Sequence, residues 1–199
     1  MSAPAVGFWF DYASPFAYLA SKQLAGLAAR TGARIELRPL LLGAVFKAVG
    51  TPNVPLFAMP QAKQRLVPYE LYRFADHFGV PFRFATRFPQ NTVKPLRMTL
   101  GAPAATREAL VHALFRTIWV DDGDLASDAD LRRVAAEVGL DPDEALSWAS
   151  SEPMKTALRE ATDGAVQAGV FGVPTFEVKG ELYWGQDRLE LVEAAIVEG

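Results

Sequence analysis

The chain opens on a nearly continuous apolar run at residues 5–11, Ala-Val-Gly-Phe-Trp-Phe-Asp, which predicts a buried first strand rich in aromatics. Ser14-Pro15 follows, with Ser suited to a helix N-cap and Pro to the first helical position. Phe16, Leu19, Ala20, Leu24, Leu27 and Ala28 then recur at helical spacing, and Gly32 is a natural C-cap. Ile35, Leu37 and the apolar residues after Pro39 predict a second strand. A β-α-β opening of this kind joins two parallel strands by a right-handed crossover. The end of the chain reads differently. Thr175 to Val178 and Glu181 to Trp184 are short extended runs separated by Lys179-Gly180, a two-residue hairpin signal. Gln186-Asp187 then opens a last helix carrying Leu189, Leu191, Val192, Ala195 and Ile196.

Between these ends, residues 43–169 read as helix after helix. Gly43 to Gly50 is a short one, 51–60 a Pro-rich loop, and 61–78 a helix interrupted before Pro68. Residues 79–91 are irregular, a short helix falls around Leu96 to Leu100, and 104–120 carries Leu110, Leu114 and Ile118 on one stripe. Ser127-x-x-Asp130 reads as a capping box and Gly139 as a helix end. Two more helices span 142–150 and 153–168. A β-α-β front and a β-β-α back must pair to complete one sheet, because two strands alone are marginal. The expected fold is α/β: a thioredoxin-like domain from residues 1–42 and 170–199, with a large all-helical insertion over 43–169.

Composition narrows the chemistry. The chain has 199 residues, enough for one domain with a sizeable core, and a formal net charge of -3, which argues against a nucleic-acid partner. No stretch is apolar enough to span a bilayer, so no membrane partner is expected, and no secretory signal is visible, so the expected location is cytoplasmic. Cysteine is absent. That excludes a disulfide framework, a thiolate nucleophile of the chain's own and a cysteine metal site. His77 and His112 are the only histidines, and no P-loop, G-x-G-x-x-G, G-x-S-x-G or H-E-x-x-H occurs. No metal is expected. Hydroxyls, carboxylates, amides, Lys, Arg or a borrowed cofactor must do any chemistry. Both histidines sit in helical stretches and read as structural.

Three segments carry a resemblance: Phe10-Asp11-Tyr12-Ala13-Ser14-Pro15-Phe16-Ala17-Tyr18, Gly169-Val170-Phe171-Gly172-Val173-Pro174-Thr175-Phe176, and Trp184-Gly185-Gln186-Asp187-Arg188. Leu42 to Ala48, Phe88-Pro89-x-Asn91-Thr92 and Leu114 to Val120 add to it. Together, over essentially the whole chain, they resemble the 2-hydroxychromene-2-carboxylate isomerases. These are glutathione-dependent enzymes of the DsbA-like branch of thioredoxin folds, related to kappa-class glutathione transferases. Where thiol-redox relatives hold a nucleophilic Cys at the junction of strand and first helix, this chain has Ser14. A hydroxyl there is a poor nucleophile without a base but a good donor to a thiolate brought by glutathione. Read alone, Ser14 is an ordinary N-cap; the resemblance makes it the catalytic residue.

The resemblance further implies a cis Val173-Pro174 bond beside Ser14, with Val173 pairing strand to strand with the cysteinyl backbone of glutathione. Gln186 and Asp187 are implied to hold its γ-glutamyl end, the carboxylate at the helix N-terminus and the ammonium on Asp187. Lys63, after Pro60, is the candidate for the glycyl carboxylate; its alternative is a solvated surface Lys. Asn53 stands in Gly50-Thr51-Pro52-Asn53, where the family has Gly-Asn directly, so an Asx turn is its equal alternative. Asn91 and Arg97 are weaker candidates for binding a substrate carboxylate, and Arg97 could instead make a structural ion pair. The implied function is interconversion of 2-hydroxychromene-2-carboxylate and trans-o-hydroxybenzylidenepyruvate in aromatic-hydrocarbon catabolism, with glutathione returned unchanged and a homodimer as the working form. Two alternatives stay open: a kappa-like glutathione transferase or peroxidase, and a non-catalytic thioredoxin-fold binding protein.

Overall fold

The computed structural model describes residues 3–198. Its centre is β1 (Ala5–Phe10), hydrogen-bonded on one side to β2 (Arg34–Pro39) in parallel and on the other to β3 (Thr175–Val178) antiparallel; β4 (Glu181–Trp184) completes the order β2-β1-β3-β4. Register places Phe8 between Leu37 and Phe176. The two ends of the chain therefore share one sheet, as the incomplete halves require. Lys179 and Gly180 both have positive φ, 52° and 86°, which matches the right-handed twist of the hairpin they close.

The first helical segment is two helices rather than one: α1 (Pro15–Ser21) and α2 (Leu24–Thr31). The Ser21 hydroxyl donates to Tyr18 O at 2.7 Å, and Gln23 N–H turns to Ala20 O, so a local hydroxyl and a tightened turn break the ladder that the apolar spacing alone would continue. β2 also stops earlier than its apolar run. Leu41 N–H is taken by Thr162 Oγ1 and Leu42 N–H by Asp11, so the backbone leaves the sheet and turns into α3 (Leu42–Val49). The Pro-rich loop holds one turn of helix, α4 (Pro55–Ala58). Helix α5 (Gln61–Phe78) runs through Pro68 without interruption. Pro68 removes one N–H, but Val67 and Leu71 on either side of it are held in the wall of a cavity described below.

Then come α6 (Val93–Gly101), α7 (Ala104–Trp119), α8 (Asp128–Glu137), α9 (Pro142–Ser150) and α10 (Glu152–Gln167). Ser127 caps α8 by accepting Asp130 N–H, but the reciprocal half of the capping box is missing. Asp130 instead accepts Asp124 N–H at 2.9 Å. A 3-10 turn (Gln186–Arg188) precedes the last helix, α11 (Leu189–Val197).

One aromatic core joins sheet and helices. Phe8, Phe10, Tyr12, Phe115 and Trp119 are fully buried. Tyr12 meets Phe115 edge-on at 4.9 Å, and Trp119 packs among Phe82, Phe84 and Phe88. The Trp119 indole donates to Tyr12 O at 2.9 Å, which ties α7 to the short segment between β1 and α1. Among the described residues no helix is long and apolar enough to cross a membrane.

Candidate active site

The segment Asp11–Ser14 hangs between the end of β1 and the start of α1, and its backbone is fixed from both sides. Ser14 N–H donates to Asp11 O at 3.0 Å, and Ser14 adopts the extended conformation of an N-cap. Its Oγ accepts Ala17 N–H at 3.2 Å and donates to Val173 O at 3.3 Å. Pro15 occupies the first helical position, where a missing N–H costs nothing. The Val173–Pro174 bond is cis, as the resemblance implies, and lies against Ser14. Pro174 O is taken by Gly185 N–H at 3.0 Å, which ties this loop to the start of the 3-10 turn. Val173 N–H finds no hydrogen-bond partner among the described residues. Thus residues 159 positions apart form one polar wall.

That wall faces a cavity of about 400 Å³. Ser14, Asn53 and Thr51 are among its few polar side chains; Phe46, Met59, Val67, Leu71, Phe84 and Phe88 make it mainly apolar. Asn53 packs against Gly43, where a Cβ would stand 3.0 Å from its Oδ1. Phe171 and Trp184 form the rim, half-exposed, with ring centroids 4.9 Å apart. Gly172 is required beneath them, since a Cβ there would lie 2.9 Å from the Trp184 indole nitrogen.

The other expected residues lie elsewhere. Gln186 and Asp187 line a second pocket of about 340 Å³ between α2, α5 and the start of α11, together with Arg30, Phe74 and His77. Gln186 is 4% exposed, and its buried Oε1 has no hydrogen-bond partner among the described residues. Asp187 pairs with its neighbour Arg188. Lys63 is exposed on α5, one turn before Val67, and has no ion-pair partner among the described residues. Asn91 is spent locally: its Oδ1 accepts Val93 N–H at 3.0 Å at the start of α6. Arg97 donates to Ala149 O at 3.1 Å, and it is not part of the cavity wall. His112 lies near Glu108 on α7, and burial lowers its pKa from the ordinary value.

Sequence reasoning missed the aromatic lining. Phe46 stands four residues after Leu42, which places both on one face of α3, and Phe88 belongs to a motif noticed only for Asn91. It also passed over Asp11, which is 1% exposed and lies three residues before Ser14.

With these positions in hand, similarity to known proteins is informative. The DSBA-like thioredoxin domain family matches residues 5–197. A 2-hydroxychromene-2-carboxylate isomerase from Sphingobium xenophagum is 33% identical over 194 residues, covering 97% of this chain and 98% of its own. A glutathione S-transferase kappa 1 from Rattus norvegicus is 28% identical, covering 92% and 87%. A solved 2-hydroxychromene-2-carboxylate isomerase superposes with a TM-score of 0.87 at 29% identity, over 98% of this chain and 95% of that one. By its sheet order, its length-wide identity and its superposition, this chain belongs to the DSBA-like thioredoxin domain family, and within it to the 2-hydroxychromene-2-carboxylate isomerases.

Proposed function

We propose that the chain is a glutathione-dependent isomerase interconverting 2-hydroxychromene-2-carboxylate and trans-o-hydroxybenzylidenepyruvate. The observation that carries this reading is the meeting of the Ser14 hydroxyl with Val173 O, 3.3 Å apart, on the polar wall of an apolar cavity in a chain without cysteine. A hydroxyl so placed offers a donor where a sulfur is needed and cannot supply the sulfur itself.

The residues present suit a tripeptide thiol. Val173 offers an unpartnered N–H and a carbonyl whose present partner, the Ser14 hydroxyl, is a free rotor. Turning that one proton toward a sulfur frees the Val173 carbonyl for a peptide N–H, which is strand-like pairing. The unpartnered Gln186 Oε1 and the Asp187 carboxylate offer acceptors for an ammonium, the group at the γ-glutamyl end. Lys63 is left to hold the glycyl carboxylate, and Asn53 turns an amide on the cavity. Bound glutathione supplies a thiol whose anion adds reversibly to an electrophilic carbon.

The chain segment that supplies much of the cavity wall also suits an anionic substrate. No acidic residue lies between Glu36 and Glu70, while Lys47, Lys63 and Arg65 do, in a chain whose net charge is -3. Lys47 follows Phe46 of the cavity wall and has no ion-pair partner among the described residues. Asn91 and Arg97 are given no substrate contact, since neither lines the cavity.

Binding of glutathione tests the reading. Calorimetry should detect one site per chain. Asp187→Ala should weaken it by about tenfold, the equivalent of one charge-assisted hydrogen bond, and N-acetylating the γ-glutamyl amine should do the same. Unchanged affinity in both cases would remove Asp187 from the site.

A further inference from the structure

Asp11 is a carboxylate inside the protein, three residues before Ser14 and 1% exposed. Its Oδ1 accepts Ala13 N–H at 3.0 Å, and its Oδ2 accepts Leu42 N–H, at the first residue of α3, at 2.8 Å. The hydroxyl of Thr92, the N-cap of α6, lies near enough to draw the carboxyl pKa down. The Asp11 carbonyl holds Ser14 N–H. One side chain thus joins the Ser14 segment to α3 of the insertion through two backbone N–H donors. Each carboxylate oxygen accepts a backbone N–H, and hydrogen bonding of this kind favours the anion. Burial, the largest influence, holds the carboxyl pKa above its ordinary value, and the Ala13 and Leu42 N–H groups with the nearby Thr92 hydroxyl act against it.

No cation answers this charge among the described residues. On α6, Lys94 is paired with Asp128 and Arg97 donates to Ala149 O. On α3, Lys47 is exposed in the last turn. On β2, Arg38 is engaged with Glu36 and Glu177. The charged residues of α10, Glu152, Lys155, Arg159, Glu160 and Asp163, are exposed, and Tyr12 holds its phenol on Thr99. Asp11 therefore stands as an unneutralised negative charge on the segment that carries Ser14.

We propose that Asp11 is a buried counter-charge that sets the thiol–thiolate balance of a sulfur held at Ser14. The Ser14 hydroxyl and the start of α1 favour the anion there; Asp11 opposes them. The opposition has a chemical use. Nucleophilicity falls with thiol pKa, and the best attacking thiol has a pKa near ambient pH. Asp11 touches no reacting atom and is a positioning residue. This inference rests on Ser14 facing the sulfur, and its test needs no glutathione.

S14C places a single thiol at that position in a chain that has no other. Its thiolate is titrated by ultraviolet absorbance, alone and combined with Asp11→Asn or Thr92→Val. A unit charge within roughly 10 Å at an effective dielectric near 20 is worth on the order of one pKa unit. Asp11→Asn should therefore lower the S14C thiol pKa by about one unit or more. Thr92→Val, which removes the hydroxyl beside the carboxylate but keeps the charge, should leave it nearly unmoved. A purely structural Asp11 would change the melting temperature in both and lower the pKa in neither. A pKa that stays put or rises with Asp11→Asn overturns the proposal. If that double variant fails to fold, S14C alone decides. With the counter-charge in place its thiol pKa should be about 7.5 or above, against roughly 8.5 for a free thiol, and any lower value overturns the proposal. Failure of glutathione to bind or to support turnover would defeat the proposed function and leave this result standing.

Discussion

Replacing Ser14 by Ala is expected to lower the rate of isomerisation by on the order of 10²-fold or more while the protein stays folded. The Ser14 hydroxyl donates from the cavity wall into the space beside Val173, and Ala removes that donor without changing the backbone that presents it. Folding should survive. Pro15 still opens α1, and losing the cap to Ala17 N–H costs about 1 kcal/mol, which is a few degrees in melting temperature for a domain of this size. The sign of the pH effect follows from the same loss. A donor to a thiolate favours the anion, so its removal raises the pKa of the bound thiol. The rate–pH profile of Ser14→Ala should move to higher pH, with the deficit largest at neutral pH and smaller in alkali. Full activity at neutral pH would refute the role assigned to Ser14.

Trp119→Ala should carry the largest stability penalty, about 3–5 kcal/mol. The indole is fully buried among Phe82, Phe84 and Phe88, so truncation leaves a cavity at the join between sheet and helices. It also strands Tyr12 O, the indole's partner, inside the protein. Trp119→Phe separates the two contributions: it restores much of the packing and should lose only the hydrogen-bond share, roughly 1–3 kcal/mol. Because Tyr12 lies between Asp11 and Ser14, Trp119→Phe should also slow turnover more than its stability loss explains. Denaturant midpoints and kinetics on the same samples measure both. A Phe variant as active as wild type would show that the indole supports the fold and not the Ser14 segment.

The elements that sequence reading found most readily are those whose causes are local. The strand at Ala5–Phe10, the Ser14-Pro15 helix start and the Lys179-Gly180 turn follow from a handful of adjacent residues. It failed where a distant group decides. The end of β2 depends on Thr162 and Asp11, far along the chain in either direction, which take the N–H groups of Leu41 and Leu42 after Leu40 has made its last bond to β1. The break after Ser21 is a local exception, since the hydroxyl there bonds Tyr18 O three residues back and the apolar spacing does not register it. Ser14, Val173 and Asn53 could be proposed from motifs, and they do line one cavity. Arg97 could not be judged that way, because its partner, the Ala149 carbonyl, lies on a helix 52 positions on. The aromatic lining was similarly hidden: Phe46, Phe84 with Phe88, and Phe171 come from three separate segments, and only the folded chain shows that they share a space.

The account stands or falls on what becomes of glutathione. Purified protein should be given 2-hydroxychromene-2-carboxylate with no glutathione, and then with glutathione at a small fraction of the substrate concentration, while product and total free thiol are followed together. The prediction is negligible turnover without the thiol, many turnovers per glutathione with it, and no loss of free thiol at completion. If free thiol instead falls mole for mole with substrate, the chain consumes glutathione as a transferase does, and the isomerase reading is contradicted.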